Sequence, residues 1–291
     1  MRHVRHPGPV AAIRRRTEGC RIRHEQVQLP VGRALLPTLA TVLDEHDAEG
    51  AVLRLVGGQF DPFAFCMPAL SPTPEHAVYF SDRHQPSGPV RLEMAAVTLG
   101  QRESGPWLHC HGIWHDSSGR RLGGHVLPDD AVIHEPIKAE ITFMNGARFQ
   151  VVPSPETGFS LFEPVSSPGS ATTGTGPFAM SVRPNEDFCL ALEEECRERG
   201  ISRASVFGGV GSLVGASFDD GRDVVPFVTE VFIKTGHVAR GADGSLVASI
   251  EVGLVDHLGG LHEGRLRRGH NPVLVTFELL IEPLELARSA P

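Results

Sequence analysis

Two stretches of the chain carry the same apolar rhythm. Leu35, Leu36, Leu39 and Leu43 recur at i, i+1, i+4 and i+8, and Phe188, Cys189, Leu192 and Cys196 repeat that spacing. It lines one face of an amphipathic helix, so one helix is predicted in each half. Pro37 belongs in the first turn of the earlier helix, since deeper in it would remove an intrahelical hydrogen bond. Asn185, after Pro184, reads as the N-cap of the later one, with Glu186 and Asp187 in the first turn, where the helix dipole favours negative charge. An apolar strand follows each helix, over 51–56 and 204–207, and runs into glycines, Gly57-Gly58 and Gly208-Gly209-Val210-Gly211. The second glycine run lacks the full GxGxxG spacing and a following helical pattern, so it reads as a tight turn rather than a phosphate cradle. Residues 228–233 alternate apolar and polar like a strand, and closing strands are predicted over 139–144 and 277–281.

The rhythm repeats because the chain is built twice. With a constant shift, residues 27–58 lie over 180–211 without a gap. Further along, Pro89 and Glu93 match Pro226 and Glu230. Asp116, Gly119 and Gly124 match Asp256, Gly259 and Gly264, and Glu140 matches Glu278. Copy one has a longer, proline-containing insertion around 71–87, and the stretch between the copies is rich in Pro, Ser, Thr and Gly. The predicted organisation is a head over 1–24, a first domain over 25–150, a linker over 151–177 and a second domain over 178–286. The fold class is α/β (α+β), each copy a mostly antiparallel sheet with a packed helix.

Composition narrows the function classes. The 291 residues are 41% hydrophobic and 21% charged, an ordinary globular balance. No apolar run approaches the roughly 18 to 20 residues that span a bilayer, and no signal peptide is evident, so the expected location is cytoplasmic with no membrane partner. The five cysteines form no CxxC pair, and Cys189 and Cys196 fall on the helix stripe as small core residues. The net charge of -8 is uneven: residues 1–24 hold seven arginines against Glu18, and the acidic remainder repels a polyphosphate. The Arg-rich head reads as a disordered, solvated tail, and nucleic acid is not a favoured partner.

Candidate chemistry concentrates in copy one. His109, His111 and His115 alternate along a predicted strand and so share one face. Asp116-Ser117-Ser118-Gly119 is a turn signal, and the returning strand carries His125 back beside them. His109, His111 and His125 are therefore predicted to bind a divalent metal, with zinc suited to three imidazoles and a fourth position left for water or substrate. His115 is a further candidate ligand. Glu140, on another strand of the same copy, is the candidate base or additional ligand. Arg120 and Arg121 at the turn are candidates for attracting an anion. Copy two aligns Ser249, Glu251 and Arg265 with the three histidines, so it is predicted to keep the fold without the metal, with Arg265 paired to Glu251 or Glu278.

The run HxH, a turn with Asp and Gly, GGH and a closing strand with an internal Glu resembles the PPC (plants and prokaryotes conserved) domain family. His109, His111, Gly124, His125 and Glu140 stand at the family positions, and copy two matches in outline. The resemblance implies a compact α/β unit around an antiparallel sheet, a homo-oligomer in the form of a trimer, and a zinc or other divalent metal site at the histidines. No Arg-Gly-Arg-Pro core of an AT-hook is present, so DNA binding is attached by family association only. Three readings stand: a metal-binding PPC protein with a small polar or anionic ligand or substrate, a DNA-associated regulator using the Arg-rich N-terminus, and an assembly protein without a ligand. If it is an enzyme, the resemblance and the open position imply a metal-dependent one.

Overall fold

The computed structural model describes residues 2–103, 105–167 and 174–284. The predicted helices form as α1, Leu35–Glu45, and α2, Phe188–Glu198. The stripe Leu35, Leu36, Leu39 and Leu43 is buried, as is its counterpart Phe188, Cys189, Leu192 and Cys196. Pro37 sits in the first turn, as its missing N–H requires. The N-cap of α2 is Asp187, whose side chain accepts from the Leu190 N–H, and not Asn185. Asn185 lies two residues earlier with a left-handed backbone (φ 67°), and its amide clamps the Val4 N–H and carbonyl.

The halves repeat one topology. In the first sheet the strands run in the order Arg21–Leu29, Ile137–Asn145, Gly50–Val56, Val90–Arg102, Gly105–His115, Arg121–Val126. In the second the order is Phe178–Val182, Val273–Pro283, Ala204–Ser217, Asp223–Arg240, Leu246–Asp256, Leu261–Arg265. Each of these neighbouring pairs is antiparallel. Strand alternation gives each sheet two apolar faces. One packs its helix, with Leu53, Leu55, Val97, Leu99 and Cys110 in the first core and Val231, Ile250 and Phe277 in the second. The opposite faces of the two sheets meet each other through Ala96, Ile113, Val210 and Phe232. This meeting of faces makes the site.

Three sequence expectations change. The glycine run at 208–211 is no turn: the strand continues from Ala204 to Ser217 through register shifts, that is, β-bulges. Gly208 (φ 67°) lies so close to the first half that an added Cβ would come within 2.5 Å of the Val52 Cβ. The 1–24 head is folded, not a solvated tail. Arg15–Gly19 pairs with Phe178–Val182 as the edge of the second sheet, and the next strand joins the first, so the N-terminal segment laces the halves together. Its charge is taken up internally: Arg14 on Glu156 and Glu186, Arg15 on Glu194, Glu195 and Glu198, and Arg16 on Glu163. The 151–177 linker is likewise partly regular, since Ala147–Pro153 and Ser160–Ser166 form a hairpin. Residues 168–173 of that linker, and 285–286 of the second domain, lie outside the described residues. No helix among the described residues is long and apolar enough to cross a membrane.

Candidate metal centre

Register explains the convergence of the histidines. Gly105–His115 and Arg121–Val126 form the predicted hairpin, with His111 directly opposite His125. His109, two residues from His111, points to the same face, and Cys110 points into the core, where burial pushes its thiol up. His109 Nε2 lies 2.9 Å from His111 Nε2, which lies 3.1 Å from His125 Nδ1. The fourth group comes from the other half: Glu230 Oε2, on Asp223–Arg240, stands 2.5 Å from His111 Nε2. One ligand atom from each of His109, His111, His125 and Glu230 lies within 4.8 Å of every other. A tetrahedral ion with bonds of about 2.0–2.1 Å holds its ligands about 3.3 Å apart, close to the spacing of the nitrogens.

Proton bookkeeping tests whether a cation fits. His111 Nδ1 stands 3.0 Å from the Val231 carbonyl oxygen, which only accepts, so Nδ1 carries the proton. In the neutral ring Nε2 is then a bare lone pair, facing the Glu230 carboxylate and two more ring nitrogens. A proton on His111, an N–H from a neighbouring ring or a metal ion satisfies that lone pair, and of these a cation also answers the Glu230 carboxylate. Burial opposes the imidazolium, but the Glu230 carboxylate outweighs it and the His111 pKa is raised. Its neighbours go the other way. Burial, then the His111 charge, lowers His109 to about 3, and burial with both other rings holds His125 well below its ordinary value. Neutral imidazoles are what a metal needs. Behind the ligands, Glu278 Oε2 meets His109 Nδ1 at 2.8 Å, and burial pushes the Glu278 carboxyl up to about 8. A carboxyl group and a backbone carbonyl behind two ligating rings are the kind of support that fixes ring orientation at metal sites.

Other sequence candidates lie elsewhere. His115, two further residues along the strand, has its Nδ1 3.9 Å from Glu93 and does not join the cluster. Glu140 shares the face of the histidines, but its strand is separated from theirs by Gly50–Val56 and Val90–Arg102, about 14 Å at ordinary strand spacing. It pairs instead with Arg54 at 3.2 Å and Lys138 at 3.4 Å. It is therefore not the base of this site. Arg121 is engaged by Glu93 and by Glu263 of the second half, so it is no free anion lure. In copy two, Arg265 lies opposite Glu251, as His125 lies opposite His111, which supports the alignment of the repeats. Arg265 pairs with Asp219 at 2.6 Å rather than with Glu251 or Glu278. The sequence reading missed Glu230. Its signal was a repeated acid, matching Glu93, in an alternating strand, but periodicity says nothing about which half a side chain serves.

A small cavity of about 140 Å³ opens beside the cluster, with His109, His125, Glu230 and Glu278 at one end.

Comparison with known proteins places the fold. The family model of the Plants and Prokaryotes Conserved (PCC) domain matches residues 169–285, the copy without the histidines. No curated protein matches significantly. Among solved structures, a plant- and prokaryote-conserved (PPC) protein of Pyrococcus horikoshii is 14% identical and covers 55% of this chain and 100% of its own, with a TM-score of 0.40. A metal-containing protein of Archaeoglobus fulgidus is 14% identical over 48% of this chain and 93% of its own, with a TM-score of 0.41. A protein of Ralstonia eutropha JMP134, provisionally named for DNA binding, is 17% identical over 47% of this chain and 89% of its own, with a TM-score of 0.37. Each spans about half of this chain. Residues 169–285 thus match the PCC domain model, and the first half repeats the strand order of the second around one helix.

Proposed function

We propose that the chain holds one divalent metal ion at His109, His111, His125 and Glu230, between its two halves, and presents it to a small polar or anionic ligand in the adjoining cavity. The observation that carries this reading is the convergence on His111 Nε2 of a carboxylate oxygen at 2.5 Å and two ring nitrogens at 2.9 and 3.1 Å. Three imidazoles and one carboxylate suit zinc, and equally iron or nickel, so the ion's identity rests on availability. The sequence reading left the fourth position to water or substrate; here Glu230 stands in it, so a ligand would displace Glu230 or raise the coordination to five. When bound, the ion supplies a Lewis acid that polarises a carbonyl or acidifies a water. Glu230 and Glu278 are the chain's own groups placed to hold a proton there, the role first given to Glu140.

Elemental analysis of the purified full-length protein tests the reading. One ion per chain is expected, and His111→Ala is expected to lose it while keeping the circular dichroism of the parent. Unchanged metal content in that variant would overturn the assignment. The regulator reading loses support at Arg14, Arg15 and Arg16, which are paired with acids of the fold.

A further inference from the structure

The cavity beside the cluster has a strongly polarised lining. Val78, Tyr79, Phe80, Phe159, Val228 and Leu274 form much of its wall, and the histidines and acids close one end. Two hydroxyls of the wall, those of Thr229 and Ser212, are engaged by the backbone, and Tyr79, Ser160 and Thr276 add further ones. Thr229 Oγ1 donates to the Leu213 carbonyl and accepts its N–H, and Ser212 Oγ accepts from the Val275 N–H. Charged groups are confined to the metal end, and the aliphatic and aromatic part of the wall rewards apolar atoms. The size is also restrictive: about 150 Å³ is the volume of an apolar cavity that accommodates benzene.

One wall is peculiar to copy one. Pro68–Leu70 and Val78–Phe80 pair as a hairpin that holds the first part of the insertion around 71–87, and its Phe80 ring lies 5.0 Å from the His125 ring. Tyr79 stacks on Phe159 at 6.0 Å. Copy two joins the corresponding strands by the short turn at 218–222 and has Ser249, Glu251 and Arg265 in place of the three histidines. The insertion and the histidines therefore occur in the same copy.

Resting on the metal reading, we propose that the cavity takes a small monocarboxylic acid, its carboxylate on the ion and its apolar body, of at most about seven carbons, against the Phe80–Phe159 wall. Charge agrees: a divalent ion with three neutral imidazoles and one carboxylate carries a net positive charge, which favours a monoanion. Acid and ion associate without covalent change.

Cobalt(II) loading separates this inference from the one beneath it. The apoprotein titrated with Co(II) is expected to develop the visible bands of a low-coordinate nitrogen and oxygen site. Added benzoate is expected to perturb them at a concentration at least tenfold below that needed for formate, which has the same head and no body. Val275→Trp, which narrows the cavity from a residue that contacts no ligand atom, is expected to keep the Co(II) bands and abolish the benzoate advantage. Absence of the bands in the parent protein would overturn the metal reading and this inference with it. Bands that respond equally to benzoate and formate, or an undiminished benzoate advantage in Val275→Trp, would overturn the carboxylate pocket alone.

Discussion

Two hairpins of this chain have the same register and opposite chemistry. In the first half His111 faces His125 across the pair; in the second Glu251 faces Arg265 at the equivalent place. The first is covered by the other half and buried, with His111 only 1% exposed, while Arg265 is exposed and tied to Asp219. The acids show the same asymmetry. Glu230 and Glu278 of the second half reach the histidines of the first. Their counterparts Glu93 and Glu140 engage Arg121 and Arg54 within their own half. The repeat is thus packed head to tail: one copy supplies the nitrogen ligands, the other the carboxylates, and one complete site results per chain.

The sharpest way to break this division of labour is to remove the acid that crosses the interface. Glu230→Ala deletes a ligand atom and leaves all three histidines, so metal affinity is expected to fall by more than about a hundredfold, beyond the range usual for supporting residues. Competition with a chromogenic chelator measures it. Wild-type affinity would mean that the first copy is self-sufficient. Glu278→Gln, behind His109, is expected to cost less, about 10- to 100-fold, because the ligand stays and only its orientation and basicity change.

The same acid sharpens the comparison through pH. In the metal-free protein Glu278 keeps its proton up to about 8, whereas an unfolded chain releases it near the ordinary value of 4.5. Between those values the folded state binds more protons, so this residue's contribution to stability falls as pH rises and levels off above about 8. The stability of Glu278→Gln relative to wild type is therefore expected to grow from pH 5 to pH 8 in denaturant unfolding of the metal-free proteins. His109 acts with opposite sign in both, since an unfolded imidazole takes up a proton below 6.5 that the folded ring refuses until about 3. A difference that shrinks with rising pH would contradict the burial of Glu278.

Much of this was legible in the sequence because it is local. The Leu35–Leu43 stripe and its repeat, the fold-back at Asp116–Gly119 and the shared face of His109 and His111 follow from helix and strand periods within one segment. What was not legible depends on how distant surfaces meet. Glu278 belongs to the copy without the histidine triad, yet it faces His109 of the other copy. Glu140, on the right face, was two intervening strands too far away, because strand order is not written in alternation. The Arg-rich head looked disordered by composition, yet each of Arg14, Arg15 and Arg16 meets a carboxylate from residues 156–198.

The smallest expected effect tests the direction of the packing most directly. Replacing Ser249, Glu251 and Arg265 by histidine writes the ligand set of the first hairpin into the second, in the same register. If a histidine triad on this hairpin were enough, the variant would bind two ions per chain. The acids that would complete a second centre are committed elsewhere: Glu93 to Arg121, and Glu140 to Arg54 and Lys138. The grafted face is also open at Glu251, so three imidazoles there would compete with water for any ion they held. Metal content is therefore expected to stay at one ion per chain after dialysis against a weak chelator. A second retained ion would show that three imidazoles suffice without a crossing carboxylate, and the division of labour between the halves would then be incidental to metal binding.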